Sequence, residues 1–568
     1  MPLKPKPQPD NFSGQFFLPI RSSVKLSIFA GAGIVPGSTA KDEWTETAHK
    51  LSVLTSLFPS SPLTLRGLPN VNYVWATAIV EELIRSGITD FMICPGSRST
   101  PLTACIAKAA RKNIGAIRVV SVHDERGAAF RAIGSARATG RPAVVVTSSG
   151  TAVANLYPAV MEASNDGIPL VLLTADRPYE ARGTGANQAV DQVKAFGDRV
   201  RWFRDIAAPT ADIPISVGLS DVNHAVTLAE SLMGPVHLNA QFRENLAPDG
   251  GVPRGDDRGN FEETFSLDRF TDAAGFHRWA YGSVPWQTSY ANSPMSSMVD
   301  VRAVREVSQL LEKSKRGIIV VGNIRGFDDD TVETIVHVAE TLGFPIFADV
   351  QSGALRGHSA IIPYADHVLK CQSIARNLNP DFILQIGHPL ISTEVQKVIQ
   401  GAMKRDSSLS SLDDEVKHPR PSHVLIHPHY TYERADPAFT VTHRVSCQAA
   451  TFLKSVSEQL KKEGTQKVHS QLSPLVEVGR FLREKMPQFI HQASANVCEQ
   501  KGLITQGQDC PLTEPQVTLA VAEAFEEAGH ASTLFLSNSM PVRDAEAFMY
   551  PRCNDGVCLK RVSVNRGS

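Results

Sequence analysis

Successive doubly wound α/β domains of parallel sheet, the third of them incomplete, are what the sequence predicts. Three observations carry that reading. From Val71 to Pro178, short β-branched apolar runs alternate with alanine-rich helical stretches, the pattern of a parallel sheet covered on both faces. Each polar cluster in this stretch directly follows one of the apolar runs, at the strand ends where such sheets hold ligands. The same alternation restarts near Met298.

Taken in order, the helical "VNYVWATAIVEELIRSG" leads to the strand "DFMIC" and the loop "PGSRST", then to another alanine-rich helix. Strand "RVVSV" is followed by "HDERG" and the helix "ERGAAFRAIGSARA", and strand "AVVVTSS" by the helix "TAVANLYPAVMEAS". Strand "PLVLLTA" ends at "DRP". Four loops therefore converge on one rim. After Gly250 the composition becomes loop-like, and strands "GIIVVG", "PIFADV", "DFILQIG" and "HVLIH" then mark a second unit. Lys404–Pro421 and Ala493–Pro511 read as unstructured surface insertions. A third unit opens with "EPQVTLAVAEAFEEAG", "STLFLSN" and "SMPVRDAEAF", and Leu512–Ser568 is too short to form a comparable core, so the chain reads as cut. The expected divisions are 1–70 extension, 71–252 first α/β domain, 253–297 linker, 298–460 central α/β domain, 461–511 connecting segment, and 512–568 the start of a third domain.

The chain has 568 residues, with 57 basic and 58 acidic side chains, so bulk charge asks for no nucleic-acid or membrane partner. Eight scattered cysteines suit a reducing compartment rather than a disulfide framework, and Cys553 with Cys558 read as free thiols rather than zinc ligands. No run approaches the about 18 apolar residues that a spanning helix needs. Residues 1–41 hold Lys4, Lys6, Arg21, Lys25 and Lys41 against Asp10, as a targeting segment or an unstructured terminus would.

In "CPGSRSTPL" a tight turn brings Ser97, Arg98, Ser99 and Thr100 to a helix start, where free N–H groups favour an anion and Arg98 adds a bidentate clamp. An N-cap with a solvated arginine is the plainer alternative. "TSSGTAVAN" fits neither a Walker A loop nor a dinucleotide fingerprint. "TADRPYEARGTGANQAVDQ" offers Arg177 for an anion, and Asn187 and Gln188 for a polar ligand edge. Asp124 at a helix start has a sufficient structural reason in the helix dipole. Glu125, flanked by Ala128 and Ala129, is the carboxylate expected to be shielded from water.

The ordered set "CPGSRSTPL", "HDERGAAF", "TSSGTAVANLYPAVMEA" (with an extra serine, Ser148 Ser149), "LLTADRP", "GANQA", "SNSMPVR" and "NRG" resembles the MenD family. These are the thiamine-diphosphate-dependent 2-succinyl-5-enolpyruvyl-6-hydroxy-3-cyclohexene-1-carboxylate (SEPHCHC) synthases of menaquinone and phylloquinone biosynthesis. The resemblance runs from about Val71 to Ser568. It implies that Glu125 contacts N1′ of the cofactor's aminopyrimidine and starts the proton relay that creates its nucleophile. It implies decarboxylation of 2-oxoglutarate and addition of the succinyl unit to isochorismate. Ser97, Arg98, Arg177, Asn187, Gln188, Ser539, Arg543 and Arg566 stand at the matching substrate positions. A homodimer or homotetramer is implied, because family sites form between chains.

Two departures accompany the resemblance. Where the family carries a basic residue after the strand matching "DFILQIG", this chain has Thr393 and Glu394, so one substrate cation is either missing or supplied by Lys397. The family's ligands for diphosphate and Mg2+ (Mn2+ as substitute) are expected beyond Ser568. A non-catalytic paralogue acting as a binding module is the competing reading. Another thiamine-diphosphate enzyme would call for apolar rather than arginine-rich substrate loops. Residues 1–70 read as a targeting segment or the tail of a fused upstream domain, which makes a plastid the expected address and the cytoplasm the alternative.

Overall fold

The computed structural model describes residues 15–18, 24–27, 65, 68–113, 115–210, 212–247, 276–288, 299–324, 329–358, 360–403, 421–427, 435–462, 470–472, 474–500, 513–527, 534–536, 540–550 and 562–564. Strands β1 (Gln15–Leu18) and β2 (Val24–Ser27) pair antiparallel.

The first unit runs α1 (Val71–Arg85), β3 (Asp90–Ile93), α2 (Thr100–Lys112), β4 (Arg118–Ser121), α3 (Glu125–Thr139), β5 (Ala143–Thr147), α4 (Thr151–Ala154), α5 (Tyr157–Asp166), β6 (Leu170–Asp176), β7 (Trp202–Ile206), α6 (Ile215–Ser231) and β8 (Pro235–Gln241). Its six strands are all parallel, in the order β4-β3-β5-β6-β8-β7. Side chains alternate across the sheet. Phe91, Ile93, Val144 and Val146 meet α1, α2 and α6 on one face, while Met92, Val145, Leu170 and Leu172 meet the small side chains of α3 and α5 on the other. The expected single helix from Thr151 is broken in two, because Pro158 belongs in the first turn of a helix and starts α5 afresh.

Part of the stretch expected to be linker is docked onto this unit. Helix α7 (Phe276–Tyr281) buries Phe276, Trp279 and Ala280 in the first core. The buried Glu82 carboxylate accepts the Trp279 indole N–H at 2.6 Å, the Trp286 backbone N–H at 2.8 Å and an Asn223 amide N–H at 3.1 Å. Burial pushes this carboxyl up to about 7, against the pull of those donors. The Arg85 guanidinium lies 4.5 Å from the centre of the Trp279 ring.

The second unit runs α8 (Val301–Lys313), β9 (Gly317–Val321), α9 (Asp329–Leu342), β10 (Ile346–Ala348), α10 (Ala365–Lys370), α11 (Gln372–Leu378), β11 (Phe382–Ile386), α12 (Thr393–Met403), β12 (Ser422–Ile426), β13 (His443–Val445) and α13 (Ala449–Lys462). Its five parallel strands lie in the order β10-β9-β11-β12-β13. Helices α8, α9 and α13 cover one face and α10 and α12 the other.

Helix α14 (Pro474–Gln500) continues through Ala493, correcting the expectation of an unstructured segment there. Ser494 and Cys498 are buried, and the Ser494 hydroxyl lies 3.0 Å from that of Thr513. Residues 501–511 and most of the expected insertion at 404–421 lie outside the described residues. Helices α15 (Glu514–Glu527) and α16 (Met540–Phe548) and the parallel pair β14 (Leu534–Leu536) and β15 (Val562–Val564) follow. They pack on the turn at Val350–Gly357, where the Val350 N–H donates to the buried Glu546 carboxylate at 2.6 Å.

Inside the first unit His237 is fully buried, with its Nε2 2.8 Å from the Thr174 hydroxyl. Burial pulls its pKa down to about 3. An unfolded histidine binds its proton near 6.5, so the contribution is complete above that pH and is lost as pH falls through 3. Urea unfolding at pH 7 and pH 4.5 is expected to show about 2–3 kcal/mol less stability at the lower pH from this residue alone, a difference that shrinks in His237→Gln. An identical pH dependence in both proteins would refute that assignment.

Candidate functional site

Because β4, β3, β5 and β6 are parallel neighbours, the loops at their carboxyl ends line one edge of the sheet. These are residues 122–124, 94–99, 148–150 and 177–178, each at the end of its strand. The backbone ladder continues into two of them: Cys94 N–H donates to Val146 O and Val122 N–H to Ile93 O, both at 2.9 Å.

The two adjacent carboxylates of "HDERG" do different things. Asp124 caps α3, its Oδ1 accepting the Gly127 N–H at 2.7 Å. That leaves Glu125 free of capping. It is half-buried above the fully buried Ala128 and Ala129, and its Oε2 accepts an N–H from Asn155 at 3.0 Å. Beneath it the buried Cys94 thiol is pushed up to about 12 by desolvation and by the charges of Glu125 and Asp124, so it remains a neutral thiol.

The arginines also divide their roles. Arg98 is 4% exposed and is committed to protein partners, donating to Phe242 O and to Glu244 Oε1, each at 2.8 Å. It is neither the solvated side chain nor the uncommitted clamp that the sequence offered as alternatives. Burial lowers its pKa, Glu244 opposes this, and the neighbouring Arg177 lowers it further. Arg177 is half-buried, and its Nε is buried without a hydrogen-bond partner. The adjacent Asp176 is neutralised instead by Arg182, which donates to it at 2.7 Å and to both oxygens of Asp205 at 2.7 and 2.8 Å.

Asn187 and Ser97 are exposed at the rim. Gln188, at φ 56°, has its side chain engaged: its Nε2 donates to Ser149 O at 3.0 Å while the Ser149 hydroxyl donates back to Gln188 O at 3.0 Å. This clasp requires glycine at Gly150, where a Cβ would fall 2.8 Å from Gln188 Cγ. At the adjoining turn a Cβ on Gly96 would fall 2.2 Å from that of Ser148. The hydroxyls of Thr147 and Ser148 are buried there with no hydrogen-bond partner.

One organising residue is missing from the sequence-based set. Gln192 is fully buried; its Oε1 accepts the Gly150 N–H at 2.9 Å, and its Nε2 donates to Asn239 Oδ1 at 2.8 Å and Ala175 O at 3.2 Å. The available signal was an amide four residues after Gln188, flanked by Val190 and Val193 but also by Asp191 and Lys194.

The remaining candidates lie elsewhere. Ser392 caps α12, accepting the Val395 N–H at 3.1 Å, and Thr393 is exposed beside it. Lys397 is tied to Glu394 at 2.8 Å, so the expected replacement cation is already neutralised within the helix. Arg543 is exposed on α16, which packs on the second unit. Ser539, Arg566, Cys553 and Cys558 lie outside the described residues, and no group of three or more potential metal-ligating side chains occurs among the described ones.

Residues 74–195 match the family model of the thiamine pyrophosphate enzyme N-terminal TPP binding domain, and residues 273–409 that of the thiamine pyrophosphate enzyme middle domain. Residues 9–58 match a chorismate binding enzyme model. The chain is 34% identical to a SEPHCHC synthase of Rubrobacter xylanophilus over 506 residues, covering 88% of this chain and 75% of that protein. It is 33% identical to the synthase of Salinibacter ruber, covering 88% and 74%. Protein PHYLLO, chloroplastic, of Arabidopsis thaliana is 32% identical over 85% of this chain, and the match spans a quarter (25%) of that longer protein.

Replacing Gln192 by leucine strands the Gly150 N–H and takes a donor from the Ala175 carbonyl in a buried site, while Asn239 keeps its bonds to Thr174, Asp176 and Asp205. At about 1–3 kcal/mol for an unsatisfied group, a loss of about 2 kcal/mol is expected in chemical denaturation. An unchanged midpoint would show that the three loops are held by something else.

Proposed function

The chain belongs to the SEPHCHC synthase family of thiamine-diphosphate enzymes, and from this we propose that it serves the decarboxylation of 2-oxoglutarate and the addition of the succinyl unit to isochorismate. The observation that carries the proposal is Glu125: a carboxylate released from capping by Asp124, oriented by Asn155 and set at the rim of the first sheet. With the unpartnered hydroxyls of Thr147, at the end of β5, and of Ser148, in the loop after it, the residues present fit the aminopyrimidine half of thiamine diphosphate.

When bound, that cofactor supplies the nucleophile for a 2-oxo acid and the electron sink that carbon dioxide loss requires. The chain's residues supply the rest. Glu125 holds and returns a proton at the pyrimidine ring nitrogen N1′ through the carboxylate oxygen not engaged by Asn155. Both substrates are dianions. Arg177 has uncommitted hydrogen-bonding capacity in a partly water-excluded place and is assigned to a substrate carboxylate. Arg98 acts with it, as a buried charge that raises the positive potential while fixing the turn that carries Ser97. Asn187 and Gln188 form the polar edge, Ser539 and Arg543 are assigned to the succinyl carboxylate, and Arg566 is a further substrate contact. Arg543 resides on α16, so its part is played by assembly with a second copy, in a dimer or tetramer. None of the described residues is assigned to Mg2+, its substitute Mn2+, or the diphosphate.

The domain divisions at 71–252, 298–460 and from 512 are retained as pyrimidine-binding, central and diphosphate-binding regions. Residues 9–58 are read as chorismate-binding sequence joined to the synthase in one polypeptide, an arrangement for which the PHYLLO similarity argues, and a plastid is the proposed address. No described helix is long and apolar enough to cross a membrane. The pairing of Lys397 with Glu394 is the feature that favours a binding module without turnover, because it removes a cation from the second unit.

A protein containing this chain, supplied with thiamine diphosphate and Mg2+, is expected to release carbon dioxide from 2-oxoglutarate and to consume isochorismate in equal amount. Arg177→Ala is expected to raise KM for a substrate dianion by roughly tenfold, the effect of one lost charge-assisted hydrogen bond. No carbon dioxide release by a folded, cofactor-loaded protein would favour the binding module.

A further inference from the structure

One ion pair at the rim of the first sheet is built unequally. The Arg98 side chain is 5% exposed, yet the carboxylate that answers it, Glu244, is 72% exposed. The guanidinium is shared between two acceptors of different kinds. One nitrogen donates to the Phe242 carbonyl and another to Glu244 Oε1, each at 2.8 Å. The carbonyl belongs to fixed backbone, since the Phe242 N–H is tied to Asp176 O at 3.0 Å just beyond the end of β8.

The loop carrying Glu244 is also held. The Asn72 amide, at the start of α1, donates to Arg243 O at 2.8 Å and to Asn245 O at 3.0 Å, and the Asn70 amide donates to Asn245 O at 3.0 Å. The Tyr73 hydroxyl donates to Leu246 O at 3.0 Å. Backbone on both sides of Glu244 is therefore pinned, while its side chain reaches Arg98 from the solvent side and can turn away without moving the loop. The nearby charges are already spent: Arg243 donates to Glu180 at 2.6 Å, and Asp176 is paired with Arg182. Beside Arg98 stands Arg177, whose Nε is buried without a hydrogen-bond partner.

A carboxylate that lies in water loses little on leaving such a pair, because it regains its hydration. A buried guanidinium left bare costs far more, so the pair opens only when another anion takes the vacated place. We propose that Glu244 is a displaceable counter-ion: one carboxylate of a dianionic ligand replaces it on Arg98 while the other is held by Arg177. Glu244 thereby sets how tightly the rim holds dicarboxylates. It is a positioning residue, acting through Arg98 rather than touching the ligand. A monocarboxylate settles on Arg177 alone and does not meet this competition. The inference rests on the assignment of the rim to substrate dianions and adds the residue that moderates their binding.

Succinate and butyrate, acids of equal chain length with two carboxylates and one, are titrated calorimetrically into a protein containing this chain and into its Glu244→Gln variant. The amide keeps the size of the side chain and removes the charge. Succinate is expected to bind the variant roughly fivefold tighter, the weight of an exposed ion pair, with butyrate changed by less than about twofold. Loss of a merely structural contact would weaken both. Where Glu244→Gln melts abnormally, Glu244→Asp, too short to span the same gap, takes its place and is expected to shift succinate in the same direction. Unchanged, weaker or absent succinate binding in a variant with normal melting behaviour, or equal tightening of both acids, would each overturn the proposal. Carbon dioxide release by the unaltered protein is measured alongside. Failure here with turnover intact leaves the proposed reaction standing, whereas tightened succinate without turnover keeps the displacement and removes the reaction.

Discussion

The site depends on a polar layer buried under the carboxyl edge of the first sheet. Strand β8 places His237, Asn239 and Gln241 on one face, in register with Leu172, Thr174 and Asp176 of β6. Asn239 donates to Asp176 and Asp205 at 2.9 Å each, and Arg182 joins the same two carboxylates. Burial alone would push Asp205 up, and the hydrogen bonds from Arg182, Asn239 and Gln241 carry it below the usual carboxylate range instead. Removing one member leaves buried charge uncompensated, which is far more costly than losing a surface pair.

From that layer the loops inherit their positions. Gln192 links it to Gly150, Gly150 admits Gln188, and Ser149 closes the clasp, so the amide loop and the loop after β5 are fixed together. Arg182 satisfies Asp176, which leaves the next residue, Arg177, with charge to spare for a ligand. The same economy separates Asp124 from Glu125. In each pair of adjacent ionisable residues one is spent on the fold and its neighbour stays free for chemistry.

Much of this was legible in the sequence. Strands β3 to β6 and β9 to β12 could be read because their largely apolar runs have no other stable use, and Glu125 and Arg177 could be singled out because they follow such runs. What escaped notice escaped for physical reasons. Strand β8 alternates apolar residues with His237, Asn239 and Gln241, which look solvent-facing until their partners on β6 and β7 are known. Gln192 and Glu244 act across 42 and 146 residues of chain, beyond any local pattern. Trp279 looked like linker because its partner, Glu82, lies 197 residues away. The stretch from Ala493 looked unstructured because its polar composition suggests solvent, whereas Ser494 there contacts Thr513 rather than water.

If Glu125 is the acid of a thiamine-diphosphate site, the rate at which the bound cofactor's thiazolium C2 proton exchanges with deuterium in a protein containing this chain depends on it. In the Glu125→Gln variant exchange is expected to slow by about 100-fold or more with the cofactor still bound, the usual weight of a positioned acid–base group. Exchange at an undiminished rate in the cofactor-loaded variant would contradict that role for Glu125.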